Sequence, residues 1–300
     1  MRAVVMHRYG GPDVLELGDI PRPNPQSGEA LVRIRAAAVN PADGKWRAGM
    51  FADFAPIGFP HVLGYDIAGV IEGASDFPEG TRVAAMLDPF TKGGYAEYAA
   101  VRHDRLAVLP DGLSFERAAA VPTAGLTGCQ LVENAVDARA GQRILLTGAV
   151  GAVGRFALHA ARLRGVSVVA AVRAAQKAEA MALGADEAIM LGEHGWSGEP
   201  FDHVVDTVGG PSVAALCRHL RAGGKIATAA TTPIDPEGLA AIPQFYGVTT
   251  DAVRLARLLE AVANGDVEVP IAKMLPLDAA AEAQRLTDAG GAGGKIILMA

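Results

Sequence analysis

The sequence predicts an α/β protein in two parts, a compact barrel of short β-strands followed by a doubly wound parallel sheet. Three observations predict it. The run Ile144-Leu145-Leu146-Thr147 is apolar and ends in Gly148-Ala149-Val150-Gly151-Ala152-Val153-Gly154, with glycine at every third position. A helical pattern follows at once: Val153, Phe156, Ala157, Ala160 and Ala161 share one face, and Arg155, His159 and Arg162 fall off it. The texture also changes along the chain. Before about Val121, short runs are broken by Gly10-Gly11-Pro12, Pro21-Arg22-Pro23-Asn24-Pro25 and Pro78-Glu79-Gly80. From Gly141 onward, strands and helices alternate.

In the first part, Leu31 to Ala36 alternates, with Val32, Ile34 and Ala36 on one face and Arg33 and Arg35 on the other. That is a half-buried strand. In the second part the expected strands are 143–147, 167–172, 187–191, 202–206 and 225–229. A helix over 176–183 closes at Gly184, and a long helix from Asp251 to about Asn264 closes at Gly265. Lys295 to Met299 reads as one more apolar strand, after the glycine-rich connection 290–294. It is expected to return to the first domain, which is then discontinuous. Residues 1–121 with 267–300 form one domain in this reading, and 122–266 the other.

Composition bounds the function. The chain has 300 residues, enough for two cores, and a net charge of −6 with its Lys and Arg scattered. That argues against nucleic acid and against a basic membrane-binding face. Cys129 and Cys217 lie far apart without metal-type spacing, which suits a reducing compartment. Met1 to Met6 leads straight into a strand-like run without the layout of a signal peptide, and no uncharged apolar stretch is long enough to cross a bilayer. A cytoplasmic location is expected.

Strand, glycine turn and helix form the setting of a dinucleotide site. Glycines let the backbone approach a pyrophosphate, and the helix N-terminus favours its charge. The strand that follows, Val166 to Val172, ends in Arg173, with Lys177 four residues on. An NAD site usually has Asp or Glu at this place, accepting hydrogen bonds from the ribose; a cation pairs instead with the 2′-phosphate of NADP. NADPH is therefore the expected cofactor. The alternative is two solvated side chains at the start of a surface helix.

Several segments together resemble a known family. Asn40-Pro41-Ala42-Asp43-Gly44-Lys45-Trp46-Arg47-Ala48-Gly49 is similar to the Asn-Pro-x-Asp-x-x-x-Arg-x-Gly segment of zinc-independent medium-chain reductases. Gly64-Tyr65-Asp66-Ile67-Ala68-Gly69-Val70-Ile71 is similar to their Gly-x-Asp-x-Ala-Gly-x-Val segment. Gly93 to Tyr98, Thr123 to Thr127, Asp206 to Gly210 and Gly294-Lys295-Ile296 match others in order. The chain thus resembles the zeta-crystallin-like NADPH:quinone oxidoreductases. The resemblance implies a GroES-like barrel domain, a Rossmann domain, NADPH in the cleft between them, and a homodimer or larger assembly. It also implies hydride transfer to quinones or α,β-unsaturated carbonyls. The alternatives are an enoyl-thioester reductase and a non-catalytic NADPH-binding redox sensor.

Related alcohol dehydrogenases hold a catalytic zinc with a Cys where Asn40 stands and a His-Glu pair where Tyr65-Asp66 stands. No metal is expected, and His61 is read as a loop or surface histidine. Without a Lewis acid, acceptors that are already electrophilic are favoured, and donors must meet the oxygen on which charge builds. Asn40, Lys45 and Tyr65 are the candidate donors. The alternatives are an Asn40 amide that stabilises the turn before Pro41, a solvent-facing Lys45 and a Tyr65 used in packing. Asp43 is read as structural, holding the turn or pairing with Arg47, and Asp66 as an acceptor for buried backbone donors. By the same resemblance the pyrophosphate rests at Gly148 and on the N–H groups of Gly151, Ala152 and Val153, with Ala152 replacing a common glycine. Thr127 and Val208 lie near the nicotinamide. Phe51, Phe54, Phe90, Phe245 and Tyr246 are candidates for an apolar acceptor pocket, with core packing the better reading for at least two of them. The short segment between Ala230 and Asp251 implies a more open pocket.

Overall fold

The computed structural model describes residues 1–88, 90, 93–192 and 196–300. The chain forms two compact units, residues 1–123 with 250–300, and residues 124–249.

The first unit opens with β1 (Arg2–Met6), β2 (Glu16–Asp19) and β3 (Glu29–Val39). Along β3, Arg33 and Arg35 are exposed while Val32, Ile34 and Ala36 are buried, as the alternation requires. Helix α1 (Pro41–Arg47) follows, with proline in its first turn, where a missing N–H costs nothing. The Asp43 carboxylate reaches back to accept the Asn40 N–H at 2.8 Å. Then come β4 (His61–Val62), β5 (Asp66–Glu72), β6 (Arg82–Met86), β7 (Tyr98–Arg102), β8 (Leu106–Val108) and α2 (Phe115–Ala119). The Ser114 hydroxyl caps α2, accepting from the Arg117 N–H at 3.3 Å. His61 is buried in β4 rather than lying on a loop or at the surface.

The second unit contains most of α3 (Pro122–Gln130), then β9 (Arg143–Thr147), α4 (Ala152–Leu163), β10 (Ser167–Val172), α5 (Lys177–Ala182), β11 (Glu187–Met190), β12 (Phe201–Asp206), α6 (Pro211–Cys217), β13 (Leu220–Thr228) and β14 (Gln244–Phe245). The six strands are parallel in the order β11-β10-β9-β12-β13-β14. This is the doubly wound Rossmann order, and its topological switch lies between β9 and β12. The strands agree with the sequence reading to within a residue or two, except that β13 begins at Leu220. One side chain departs from the helical pattern. Arg155 is buried rather than solvated, because its Nε donates to the Val150 carbonyl at 3.0 Å and its guanidinium pairs with Glu179.

The chain then returns to the first unit with α7 (Ala252–Asn264), β15 (Ile271–Pro276), α8 (Ala280–Ala289) and β16 (Lys295–Met299). Asp251 caps α7 by accepting the Arg254 N–H at 2.8 Å, and Gly265 closes it at φ +83°. The sequence reading set the domain border after residue 266; the structure sets it after residue 249, so α7 goes with the first unit. Its buried stripe of Leu255, Leu258, Leu259 and Val262 shows that one face is covered. The spacing does not say against what. Arg117 Nη2 donates to the Val262 carbonyl at 2.7 Å, anchoring α7 in this unit.

Two sheets build the first unit, β2-β1-β4 and β15-β16-β3-β5-β6-β8, with β7 also on β3. The long β3 is shared: its first half pairs with β7 and its second half with β16. The register shifts between Ile34 and Ala36, on the side facing β5. The C-terminal strand is therefore an interior strand of the first unit. Among the described residues no helix is long and apolar enough to cross a membrane.

Candidate nucleotide site and acceptor site

The nucleotide cradle sits where β9 ends. Gly148 takes φ +65°, a conformation glycine adopts without strain, and turns the chain into the loop before α4. A Cβ on Gly154 would lie 2.3 Å from the Gly148 carbonyl oxygen and 2.6 Å from the Ala149 Cα. The first turn of α4 thus packs directly on the loop backbone, which only glycine permits. Gly151 precedes the helix and Ala152 begins it. The Gly151 N–H, expected to meet the pyrophosphate, instead donates to the Gly148 carbonyl at 2.9 Å and closes the loop, so the open end is formed by the N–H groups of Ala152 and Val153. These residues fit a dinucleotide: a close backbone approach, an uncovered helix terminus, and the switch point of the sheet.

The second loop of the cradle is organised by a residue that motif reading leaves without a role. Asp206, at the end of β12, is fully buried. It accepts from Thr147 Oγ1 at 2.6 Å, Thr228 Oγ1 at 2.5 Å, and the Val208 and Gly209 N–H groups at 3.0 Å each. One carboxylate thereby ties the ends of β9, β12 and β13 together and fixes the turn that carries Val208, which is partly exposed. Thr207 adds a second tie, donating Oγ1–H to the Thr147 carbonyl at 2.9 Å. Motif reading marked the segment, but hydrogen bonds across strands are invisible in a linear pattern. Thr127 is buried on α3.

At the end of β10, Arg173 is exposed, and its Nε donates to Gln176 Oε1 at 3.1 Å. Lys177 is exposed four residues on. Gln176 thus holds the guanidinium by its Nε edge.

The first unit holds a buried polar cluster around the start of α1. Asn40 is buried with its carboxamide engaged on both sides: Nδ2 donates to Asp66 Oδ2 at 3.0 Å and Oδ1 accepts from Lys295 Nζ at 2.5 Å. Asp66 Oδ1 accepts from the Thr123 N–H at 2.9 Å and from Thr123 Oγ1 at 2.6 Å. Asp43 Oδ2 takes the Tyr95 hydroxyl at 2.9 Å besides the Asn40 N–H, while its Oδ1 has no partner among the described residues. Asp43 therefore caps its own turn rather than pairing with Arg47. Burial pushes the Asp43 carboxyl up to about 7, with nearby Asp66 adding to the rise and Lys295 opposing it. Burial likewise raises Asp66 and lowers Lys295. Arg47 closes the other end of α1, through Asp288 at 2.8 Å, Gln284, and the Gly10 carbonyl at 3.1 Å.

Lys45 and Tyr65 are partly exposed. The Lys45 ammonium makes no hydrogen bond or ion pair among the described residues, and partial burial lowers its pKa. Burial, with Asp43 and Asp66 close by, raises the Tyr65 phenol, so it stays a neutral donor. Beside them Trp46 gathers aromatic rings edge to face: Phe51 at 4.9 Å and Phe90 at 5.4 Å, with Phe54 at 5.7 Å from Phe51. Phe245 and Tyr246 belong to the second unit, where they line a cavity of about 190 Å³ with Ile226, Ala227, Ala241 and Ile242. Phe54, Phe90 and Phe245 are exposed, and Phe51 and Tyr246 are half-buried, with Phe51 packed against the core of the first unit. A larger groove of the first unit, between Leu106–Pro110 and α7, contains none of the candidate residues. No three His, Cys, Asp or Glu side chains among the described residues converge as metal ligands would.

Comparison with known proteins agrees with this architecture. Residues 26–111 match the alcohol dehydrogenase GroES-like domain, and residues 183–298 match a family described as zinc-binding dehydrogenase. The chain is 30% identical over 324 aligned positions to the chloroplast envelope quinone oxidoreductase homolog of Arabidopsis thaliana, covering 99% of this chain and 98% of that protein. It is 32% identical over 317 positions to the chloroplastic NADPH-dependent alkenal/one oxidoreductase of the same plant, covering 99% of this chain and 79% of that protein. A crystal structure of an NAD-dependent alcohol dehydrogenase superposes with a TM-score of 0.89 at 31% identity, covering 100% of both chains.

Proposed function

We propose that this chain, which belongs to the quinone oxidoreductase family of medium-chain dehydrogenases/reductases, is an NADPH-dependent reductase of quinones and α,β-unsaturated carbonyls that works without zinc. The observation that carries the reading is the glycine cradle at the switch point, where a single Cβ at Gly154 would meet backbone. NADPH supplies the hydride when bound. The chain's own residues hold it, present donors to the acceptor oxygen and deliver the proton.

The second unit supplies the nucleotide side of this proposal: the N–H groups of Ala152 and Val153 for the pyrophosphate, with Gly148 and Gly151 shaping the loop beneath it, Val208 near the nicotinamide, Arg173 and Lys177 for the 2′-phosphate. The relatives differ on this last point, since one is named for NADPH and a structural neighbour for NAD. The exposed cation Arg173 at the end of β10 supports NADPH here. Arg173→Ala is expected to raise the KM for NADPH about tenfold or more, as for a lost charge-assisted contact, and to leave that for NADH nearly unchanged. Equal effects on both would defeat the assignment.

The first unit supplies the acceptor side. Lys45 and Tyr65 carry the protons that can face an acceptor oxygen, and the Trp46, Phe51 and Phe90 rings offer it an aromatic wall. Asn40 serves by position, since both ends of its amide are engaged. Two electrons arrive on the acceptor with the hydride. The oxygen takes up the negative charge, and a proton from the Lys45 ammonium or from water completes a hydroquinone or saturated carbonyl. Lys45→Met is expected to lower kcat about a hundredfold with NADPH affinity unchanged. An unchanged kcat would remove Lys45 from the chemistry. The homodimer stays part of the proposal; the open edge at β14, with Ile242 and Phe245 exposed, offers an apolar contact, and light scattering would test it.

The direct test is NADPH oxidation, with NADH in parallel, against two quinones, a short enone and an enoyl thioester. NADPH-selective turnover with quinones or enones supports the reading. Turnover confined to the thioester supports an enoyl reductase, and tight NADPH binding without turnover supports a redox sensor.

A further inference from the structure

We propose that Lys295 is a positioning residue for this reaction: its buried ammonium fixes the orientation of the Asn40 carboxamide, and through it the first turn of α1, the helix that carries Lys45. The inference rests on the reductase reading and assigns a residue to it.

The geometry is a closed triangle. Lys295 Nζ donates to Asn40 Oδ1 at 2.5 Å, Asn40 Nδ2 donates to Asp66 Oδ2 at 3.0 Å, and Nζ lies 3.8 Å from that same carboxylate oxygen. An amide between an ammonium and a carboxylate has one acceptable orientation. Reversed, its NH2 would face the ammonium and its carbonyl the carboxylate. The triangle joins β16, the turn before α1, and β5, three segments far apart in the chain.

Packing alone does not call for a lysine here. Ile296, Ile297 and Leu298 beside it are all buried, and an apolar side chain at 295 would fill the strand without desolvating an ammonium. Buried ion pairs add little or nothing to stability over apolar residues of the same volume, so a specific geometry is the better reason for one.

The charges around it are few. Asp43 and Asp66 face the cluster from α1 and β5, with the Tyr95 phenol bonded to Asp43 and the Tyr65 phenol close to both acids. Arg47, at the far end of α1, is matched by Asp288 of α8. Lys295 is thus the buried cation that the two acids share, and removing it raises the proton affinity of Asp43.

Two variants test the proposal. Lys295→Met keeps an unbranched apolar stem without the charge. Because it strands the Asp66 carboxylate, a second variant combines it with Asp66→Asn, which removes both charges and is expected to fold. NADPH affinity is measured by fluorescence titration, and kcat for a quinone from pH 5.5 to 9. Both variants are expected to bind NADPH within about twofold of wild type and to lose about tenfold or more in kcat, the scale of a misplaced reacting group. In Lys295→Met the neutral-range midpoint of the pH dependence of stability, set by Asp43 and read by urea denaturation, is expected to rise by about half a unit or more. Folded variants with wild-type kcat and midpoint would overturn the proposal and leave Lys295 a packing residue. If Lys295→Met does not fold, the double variant decides alone. A wild-type protein that binds NADPH but reduces no acceptor defeats the reductase reading itself, before any variant is compared.

Discussion

Gly154→Ala is expected to weaken NADPH binding about a hundredfold and to destabilise the second unit by about 1–3 kcal/mol. The added methyl would stand 2.3 Å from the Gly148 carbonyl oxygen and 2.8 Å from the Ala149 carbonyl carbon, and both neighbours are backbone. A side chain could rotate away; this loop cannot move without carrying the helix terminus off the pyrophosphate position. Gly151→Ala is the matched control. Its Cβ would meet the same carbonyl at 3.2 Å, and its φ of −73° suits any residue. It is expected to cost only about twofold in affinity, because a few tenths of an ångström can be absorbed locally. Fluorescence titration and denaturation of both variants check this. Equal losses would mean that the close contact at Gly154 is not what shapes the site.

Asp43→Asn is expected to become progressively more stabilising, relative to wild type, as pH rises. The Asp43 carboxyl has its ordinary value of 3.8 when unfolded and about 7 when folded, chiefly because burial disfavours the charged form. A group that binds its proton more tightly in the folded state removes stability as pH climbs between those two values, and the whole penalty is present above the higher one. Asparagine resembles the protonated carboxyl and never ionises. Its carbonyl can still accept from the Asn40 N–H and the Tyr95 hydroxyl. The stability difference between variant and wild type should therefore grow by about 3 kcal/mol from pH 5 to pH 8. Urea denaturation at the two pH values reads it directly. A difference independent of pH would show that Asp43 is ionised throughout, and the charge balance assigned to Lys295 would need revision.

These two residues mark what a linear pattern carries and what it does not. The cradle was legible because its logic is local: an apolar strand, a glycine turn and an amphipathic helix lie within about twenty residues. The discontinuous first unit was legible from the apolar tail at Lys295 to Met299. The border was not, since the α7 periodicity announces a buried face but not its partner. Asp206, Lys295 and Tyr95 were visible as motif letters, yet their work depends on partners dozens to hundreds of residues away. Arg155 and His61 look like surface residues in sequence and are buried, Arg155 because Glu179 and a loop carbonyl satisfy its guanidinium. Among the five aromatic pocket candidates, for at least two of which core packing is the better reading in sequence, Phe54, Phe90 and Phe245 stand at the surface.

The central claim is that this chain moves a hydride from NADPH to an electrophilic acceptor without a metal ion. A single-turnover experiment tests it most directly. Protein stripped with a strong chelator and loaded with one equivalent of NADPH is mixed with excess quinone in the absence of oxygen, while nicotinamide absorbance is followed and bound metal is quantified. The account predicts complete loss of the reduced-nicotinamide signal, one hydroquinone formed per NADPH, and no dependence on residual zinc. Bound NADPH that persists in the presence of quinone, or turnover that returns only when zinc is restored, would contradict it.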